Sequence, residues 1–255
     1  MEQKKTIIDS HVHCGIQDSF PCQALENYLE AISGTQITGA AMFPPVFEIY
    51  DRHNPDFEDT PYWRERRRRA NEYLTRLKDA PIQIIPYFFI WNDFATDQIT
   101  EQHKGIKWHR HKDEPVYHYN TRECRLAVEK IRELLMPVVY EEELENTIEF
   151  IFSIAKGVRV IIPHLGGLNG SYYALKRNSV WENPMVYTDT ALAAPAEIKD
   201  YIKEYGTGRI LFGSDFPFGD PKLELSKILK LELKPEDENA ILSENLTSLL
   251  RESNP

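Results

Sequence analysis

The sequence predicts a single (β/α)8 barrel of the TIM type, on three observations. Short apolar runs alternate with amphipathic stretches almost from end to end, and there are eight of them. The length, 255 residues, suits one such barrel. No glycine-rich phosphate turn, the mark of the rival doubly wound open sheet, occurs.

The strand-like runs are 6–13, 37–43, 82–91, 105–109, 137–140, 159–164, 185–190 and 209–213. Each is rich in Val, Ile, Phe or Tyr, and most lack polar alternation, as strands covered on both faces should. Between them, apolar spacing predicts helices over 23–33, 63–78, 121–135, 144–155, 195–205 and 223–231. A last helix over 235–251 opens with Glu236 and Asp237 in its first turn, where the helix dipole favours acids. Such alternation implies parallel strands joined by right-handed crossovers. Loops 44–61 and 110–120, after the second and fourth strands, are longer than a compact barrel needs. Both leave carboxyl strand ends and overhang the catalytic mouth. No repeat, low-complexity tract or linker divides the chain, so residues 1–255 read as one domain.

Composition narrows the class. With 42% hydrophobic and 27% charged residues the chain is globular rather than disordered. No apolar run approaches the ~18 residues of a membrane span, and Met1 to Lys5 is polar with no signal-peptide core. Cys14, Cys22 and Cys124 are too few and scattered for a disulfide framework. A soluble, cytoplasmic protein is expected. The net charge of −10 argues against nucleic-acid binding, which needs a basic face. The basic run from Arg64 to Arg69 reads as a solvated helix face, with Asp56, Glu58 and Asp59 able to pair with it. The expected partner is a small-molecule substrate, without nucleic acid or membrane, and a homodimer is compatible with the sequence.

The chemistry concentrates at carboxyl strand ends. In Ile7-Ile8-Asp9-Ser10-His11-Val12-His13, residues i and i+2 share a face, so His11 and His13 project together into the barrel. His164 ends the sixth strand, and Asp215 follows the eighth, which neighbours the first in a closed barrel. Taken singly, His164 reads as a core histidine and Asp215 as a turn carboxylate. Together, two imidazoles and a carboxylate form a ligand set for one divalent ion, Zn²⁺ ahead of Mn²⁺ or Fe²⁺. Lys107 and His109 share the inner side of strand four, either as a substrate-side anion contact or as core lining. Arg52 and His53 in the second-strand loop, and Arg110, His111, His118 and Tyr119 in the fourth, are cationic or polar groups that could recruit a carboxylate, or simply solvated loop residues. Trp91 is either an aromatic wall for a substrate ring or a packing residue. Cys14 points away from His13 and reads as a small hydrophobe.

These pieces resemble the amidohydrolase superfamily, in the branch of amidohydrolase-2 type hydrolases and aminocarboxymuconate semialdehyde and related decarboxylases. The matching segments are Ile-Asp-Ser-His-Val-His (8–13), Gly-Ile-Lys-Trp-His (105–109), Pro-His-Leu-Gly-Gly (163–167) and Leu-Phe-Gly-Ser-Asp-Phe-Pro (211–217), with Leu242-Ser243-Glu244-Asn245-Leu246 similar to the family's final helix. The resemblance implies a metal held by His11, His13 and Asp215, with His164 as a further ligand or as the group orienting a water. It also exposes a departure. The family usually ends strand five in a histidine, and this chain has Glu141 at that place. Glu141 is either a harder ligand that shifts preference toward Mn²⁺, or part of an acid-rich first helical turn. A bridging lysine at Lys107, as in two-metal relatives, is a further alternative.

The expected activity is metal-assisted hydrolysis of an amide, ester or lactone, with Asp215 moving the proton and His164 steadying the oxyanion. The alternative is non-oxidative decarboxylation of a small enol or aromatic acid over the same groups. A second alternative is a barrel that has lost turnover and acts as a binding protein.

Overall fold

The computed structural model describes residues 6–16 and 21–251. The polar start, Met1 to Lys5, lies outside them. The described residues contain eight strands: β1 Ile7–His13, β2 Ile37–Phe43, β3 Gln83–Phe89, β4 Gly105–His109, β5 Val138–Glu141, β6 Val160–Ile162, β7 Val186–Asp189 and β8 Ile210–Leu211. They run in sequence order, each parallel to the next. Backbone bonds from Ser10 N to Phe212 O (2.8 Å), Asp215 N to His11 O (2.8 Å) and His13 N to Phe216 O (2.9 Å) join the last strand's end to the first. The fold is the (β/α)8 barrel that the alternation predicts.

Pleat alternation builds two apolar layers. Ile8, Ala41, Phe43, Ile85, Tyr87, Val139, Ile161 and Leu211 fill the barrel interior with Leu246 and Leu249. Their strand neighbours, such as Ile7, Ile106, Trp108, Val138, Tyr140, Val160 and Ile162, pack outward against the helices. Burial on both sides is why these strands read as continuous apolar runs.

The helices are α1 Leu25–Ala31, α2 Pro61–Thr75, α3 Arg122–Glu133, α4 Leu144–Glu149, α5 Tyr172–Arg177, α6 Pro195–Tyr205, α7 Pro221–Leu229, α8 Pro235–Asn239 and α9 Asn245–Arg251. Side-chain caps fix several starts: Thr121 accepts from Cys124 N at 3.1 Å, and Asp220 from Lys222 N at 2.7 Å. The expected helix over 144–155 loosens into a π-turn at Phe150–Ile154, and that over 235–251 is α8 and α9 joined by another at Ala240–Glu244. Helix α5 was not expected, because its six residues are too few to show a period. From α9, Asn245 Nδ2 donates to Thr207 O (2.6 Å) and Ile210 O (2.8 Å), which anchors the short β8.

On α2 the basic run is neutralised locally. Arg64 and Arg67 pair with Asp59, Arg67 also with Asp93, and Arg68 with Glu65 and Glu72. Among the described residues no helix is long and apolar enough to cross a membrane.

Candidate metal centre

A β-bulge aims the first two candidate ligands. Between Asp9 and Val12, β1 advances three residues while β2 advances two, from Ala40 to Met42. Strict alternation from the interior Ile8 would put His11 on the outer side with Ile7. The extra residue flips the register, so His11 and His13 face inward while Val12 and Cys14 join the outer layer. Burial pushes the Cys14 thiol up to about 12, which makes it inert.

His11 Nε2 and His13 Nε2 lie 3.3 and 3.2 Å from the same oxygen, Oδ1 of Asp215. His11 Nδ1 lies 2.8 Å from Asp189 Oδ2. An ionised carboxylate only accepts, so His11 carries a proton on Nδ1 toward Asp189, and its Nε2 points to Asp215. Burial alone would raise the Asp215 carboxyl, but the neighbouring His11, His13 and His164 hold it well below the usual range. Burial lowers His13 to about 3, which keeps it a neutral imidazole. Asp9, on the other side of β1, behaves oppositely: burial lifts it to about 7 despite bonds from Ser214, His11 and Tyr28.

Strand β4 and strand β5 supply the opposite wall. The Cα partners His109 and Glu141 both point inward. Glu141 Oε1 is 3.0 Å from His109 Nε2 and 2.7 Å from His111 Nε2. Its Oε2 is 3.2 Å from Lys107 Nζ and 3.6 Å from His164 Nε2. Lys107 Nζ also sits 3.4 Å from His11 Nε2. Burial would raise Glu141, yet His109, Lys107 and His111 together hold it well below the ordinary carboxylate value. Glu141 is therefore the last residue of β5, while the acid-rich helical turn expected there begins at Leu144.

Two of these residues take left-handed backbone, His164 at φ 58° and Asp215 at φ 56°. His and Asp tolerate that region better than most residues, and strain of this kind gathers at functional sites. His164 Nδ1 donates to Ala191 O at 3.0 Å, so its Nε2 faces the cluster.

A cavity of about 250 Å³ opens above these groups. Its floor is His13, His109, His111, Glu141, His164 and Asp215, and its rim is Val46, Phe47, Leu168, Leu192 and Phe218, with Gln23 and Arg52. Arg52 pairs with Glu114 and lies 3.1 Å from His111 Nδ1. Trp91 is buried away from the lining, stacked 4.0 Å from Tyr50. Arg110 turns outward to Glu142 and Glu143, and Tyr119 to Tyr140. A larger open groove of about 1410 Å³ lies at the amino ends of the strands, near Thr6, Gln83 and Lys104, away from the cluster.

The sequence alone does not mark Asp189 and Glu114 as site residues. The first signal was an acid ending an apolar strand in Val-Tyr-Thr-Asp (186–189). The second was an acid three residues beyond a second H-x-H, His109-Arg110-His111. The donor set itself fits a divalent ion: His11, His13 and Asp215 place one ligand atom each within 4.8 Å of one another, as do His11, Glu141 and His164.

The family model described as Amidohydrolase (Amidohydro_2) matches residues 147–251, the part of the chain that holds His164, Asp189 and Asp215. Over those residues the chain is similar to the amidohydrolase-2 family. The chain has no match among curated proteins. Solved barrels align over nearly its whole length. A candidate 2-pyrone-4,6-dicarboxylic acid hydrolase from Pseudomonas putida is 15% identical, with 96% of this chain and 97% of that one covered and a TM-score of 0.69. A dihydroxybenzoic acid decarboxylase from Polaromonas sp. JS666, solved with manganese and the inhibitor 2-nitroresorcinol, is 12% identical, with 98% of each covered and a TM-score of 0.71. The 5-carboxyvanillate decarboxylase from Sphingomonas paucimobilis is 10% identical, with 98% and 99% covered and a TM-score of 0.73. At these identities the likeness establishes the (β/α)8 barrel fold and leaves the reaction open.

Proposed function

We propose that this barrel is a metal-dependent hydrolase that cleaves an amide, ester or lactone bond in a small carboxylate-bearing substrate. One observation carries the reading: the Nε2 atoms of His11 and His13 converge on one oxygen of Asp215, and Asp189 fixes a proton of His11 on its far side. His11, His13 and Asp215 would hold the ion, with Glu141 and His164 on its other flank. A bound Zn²⁺, or Mn²⁺ or Fe²⁺ in its place, would supply Lewis acidity that polarises a carbonyl and acidifies water toward a pKa of ~7.

The chain's own groups do the rest. Asp215, ionised by its histidine neighbours, takes a proton at Oδ2 and returns it to the leaving group. His164, 4.0 Å from that oxygen, donates from Nε2 to negative charge growing on the substrate. Arg52 is the cation on the rim available to a substrate carboxylate, Lys107 being buried against Glu141 and His11, and the apolar rim keeps bulk water off the floor.

Decarboxylation of a flat aromatic or enol acid is the second reading, favoured by the apolar rim of Phe47, Leu168, Leu192 and Phe218. A panel of lactones, esters and aromatic acids, run with ion-loaded protein and with Asp215→Asn, separates the two. Release of titratable acid from lactones or esters, lost in the variant, is the expected result. CO₂ from aromatic acids instead would replace hydrolysis by the second reading, and no turnover of either kind would leave a binding protein.

A further inference from the structure

The geometry points to a second divalent-cation site at the barrel mouth, made by His109, His111 and Glu141 and backed by Glu114. It does not depend on an ion at His11, His13 and Asp215.

Local structure explains why these residues meet. At the end of β4 the alternation puts His109 and His111 on the inner side, while Arg110 between them turns out to Glu142. On the adjacent strand Glu141 is the direct partner of His109. The two imidazoles therefore approach one carboxylate oxygen, at 3.0 and 2.7 Å, with ring centroids 4.6 Å apart. The three ligand atoms lie within 4.8 Å of one another. Two imidazoles and one carboxylate, with further positions open, suit Mn²⁺, Fe²⁺, Co²⁺ or Zn²⁺.

The far sides of the rings carry the second argument. A ligating histidine usually gives its other N–H to a carboxylate, which fixes the tautomer. Here one carboxylate stands behind both rings: Glu114 Oε2 is 4.0 Å from His109 Nδ1, and its Oε1 is 3.6 Å from His111 Nδ1. His109 Nδ1 is buried and has no hydrogen-bond partner of its own. Glu114 is itself pinned by Tyr50 Oη (2.6 Å), by the His111 backbone N–H (3.1 Å) and by Arg52. Arg52 Nη2 also approaches His111 Nδ1, so an ion on Nε2 requires His111 to turn its proton to Glu114 while Arg52 stays on that carboxylate. Glu141 can serve this site through Oε1 because its Oε2 faces Lys107 and His164 instead.

The test is Co²⁺ binding to chelator-stripped protein, counted by equilibrium dialysis for the wild type, His111→Ala and His13→Ala. His111 is a half-exposed loop residue, so its variant folds, and far-UV circular dichroism checks this. The expected result is that His111→Ala loses one equivalent that His13→Ala retains. If His111→Ala binds as the wild type does, or if both variants lose the same single equivalent, the site is overturned. Loss confined to His13→Ala leaves the first centre standing without the second. Loss confined to His111→Ala supports the second while refuting the first.

Discussion

Replacing Asp189 by Asn isolates the device that would fit His11 to be a ligand of the proposed centre. The Asp189 carboxylate accepts from His11 Nδ1 at 2.8 Å, from His164 N at 3.0 Å and from Ala191 N at 3.1 Å. Burial would raise its pKa, but the hydrogen bonds from His11 and from the His164 backbone keep it below the ordinary value, so it is an acceptor throughout. An asparagine can keep its one oxygen on the two backbone amides. Its NH₂ then faces His11 Nδ1, which must give up its proton and send it to Nε2, the atom meant for the ion. The fold loses little while the ligand is reversed. Loss of such an outer partner weakens metal binding by roughly 10–100-fold, about 1.4–2.7 kcal/mol. Zn²⁺ affinity measured by competition with a chromophoric chelator gives the magnitude, and imidazole ¹⁵N shifts of the ion-free protein report the tautomer. A variant that binds Zn²⁺ as tightly as the wild type, with its Nδ1 proton in place, would refute the reasoning.

Three further outcomes are expected. His11→Ala should lose the ion of its site by more than the ~10–100-fold of an outer-shell change, while cooperative melting persists, because the ring lies above the packed interior layer; collapse of the fold would make His11 a core residue. In ion-free protein His164 is raised to about 9, since Glu141, Asp189 and Asp215 outweigh the opposing effect of burial. The raised value means its stabilisation, up to ~3 kcal/mol, is complete below pH 6.5 and disappears as pH rises through about 9. His164→Asn, which tolerates the same backbone, should flatten that part of the melting-temperature profile, and an unchanged profile would contradict the assignment. Gly105→Ala drives a Cβ into the Tyr87 ring at the start of β4 and should cost ~1–3 kcal/mol in chemical denaturation, whereas a neutral result would mean the ring moves aside freely.

Much of the barrel was legible because strands buried on both faces leave uninterrupted apolar runs, and carboxyl strand ends concentrate the polar residues. That is why the sequence could bring His11, His13 and Asp215 together, as the structure does. The bulge that turns His11 inward could not be read, since Ser10 and His11 fit either register until β2 is laid alongside. The sixth and eighth strands end earlier than their apolar runs because the chain leaves them through left-handed turns at His164 and Asp215. Trp91 lies beyond the last paired residue of β3, where alternation no longer states a direction, and it packs on Tyr50. Glu114 and Asp189 act through other side chains, and partners of that kind leave no periodic trace.

The seam of the barrel has a consequence for biogenesis. The bonds that join the final strand to the first run between the segments that bear His11, His13 and Asp215. Closing the cylinder and assembling the donor set are thus one event, and a nascent chain still short of Asp215 has no complete grip to offer. Cation uptake in a translation time course should lag behind synthesis of the last strand, reporting when each molecule is finished.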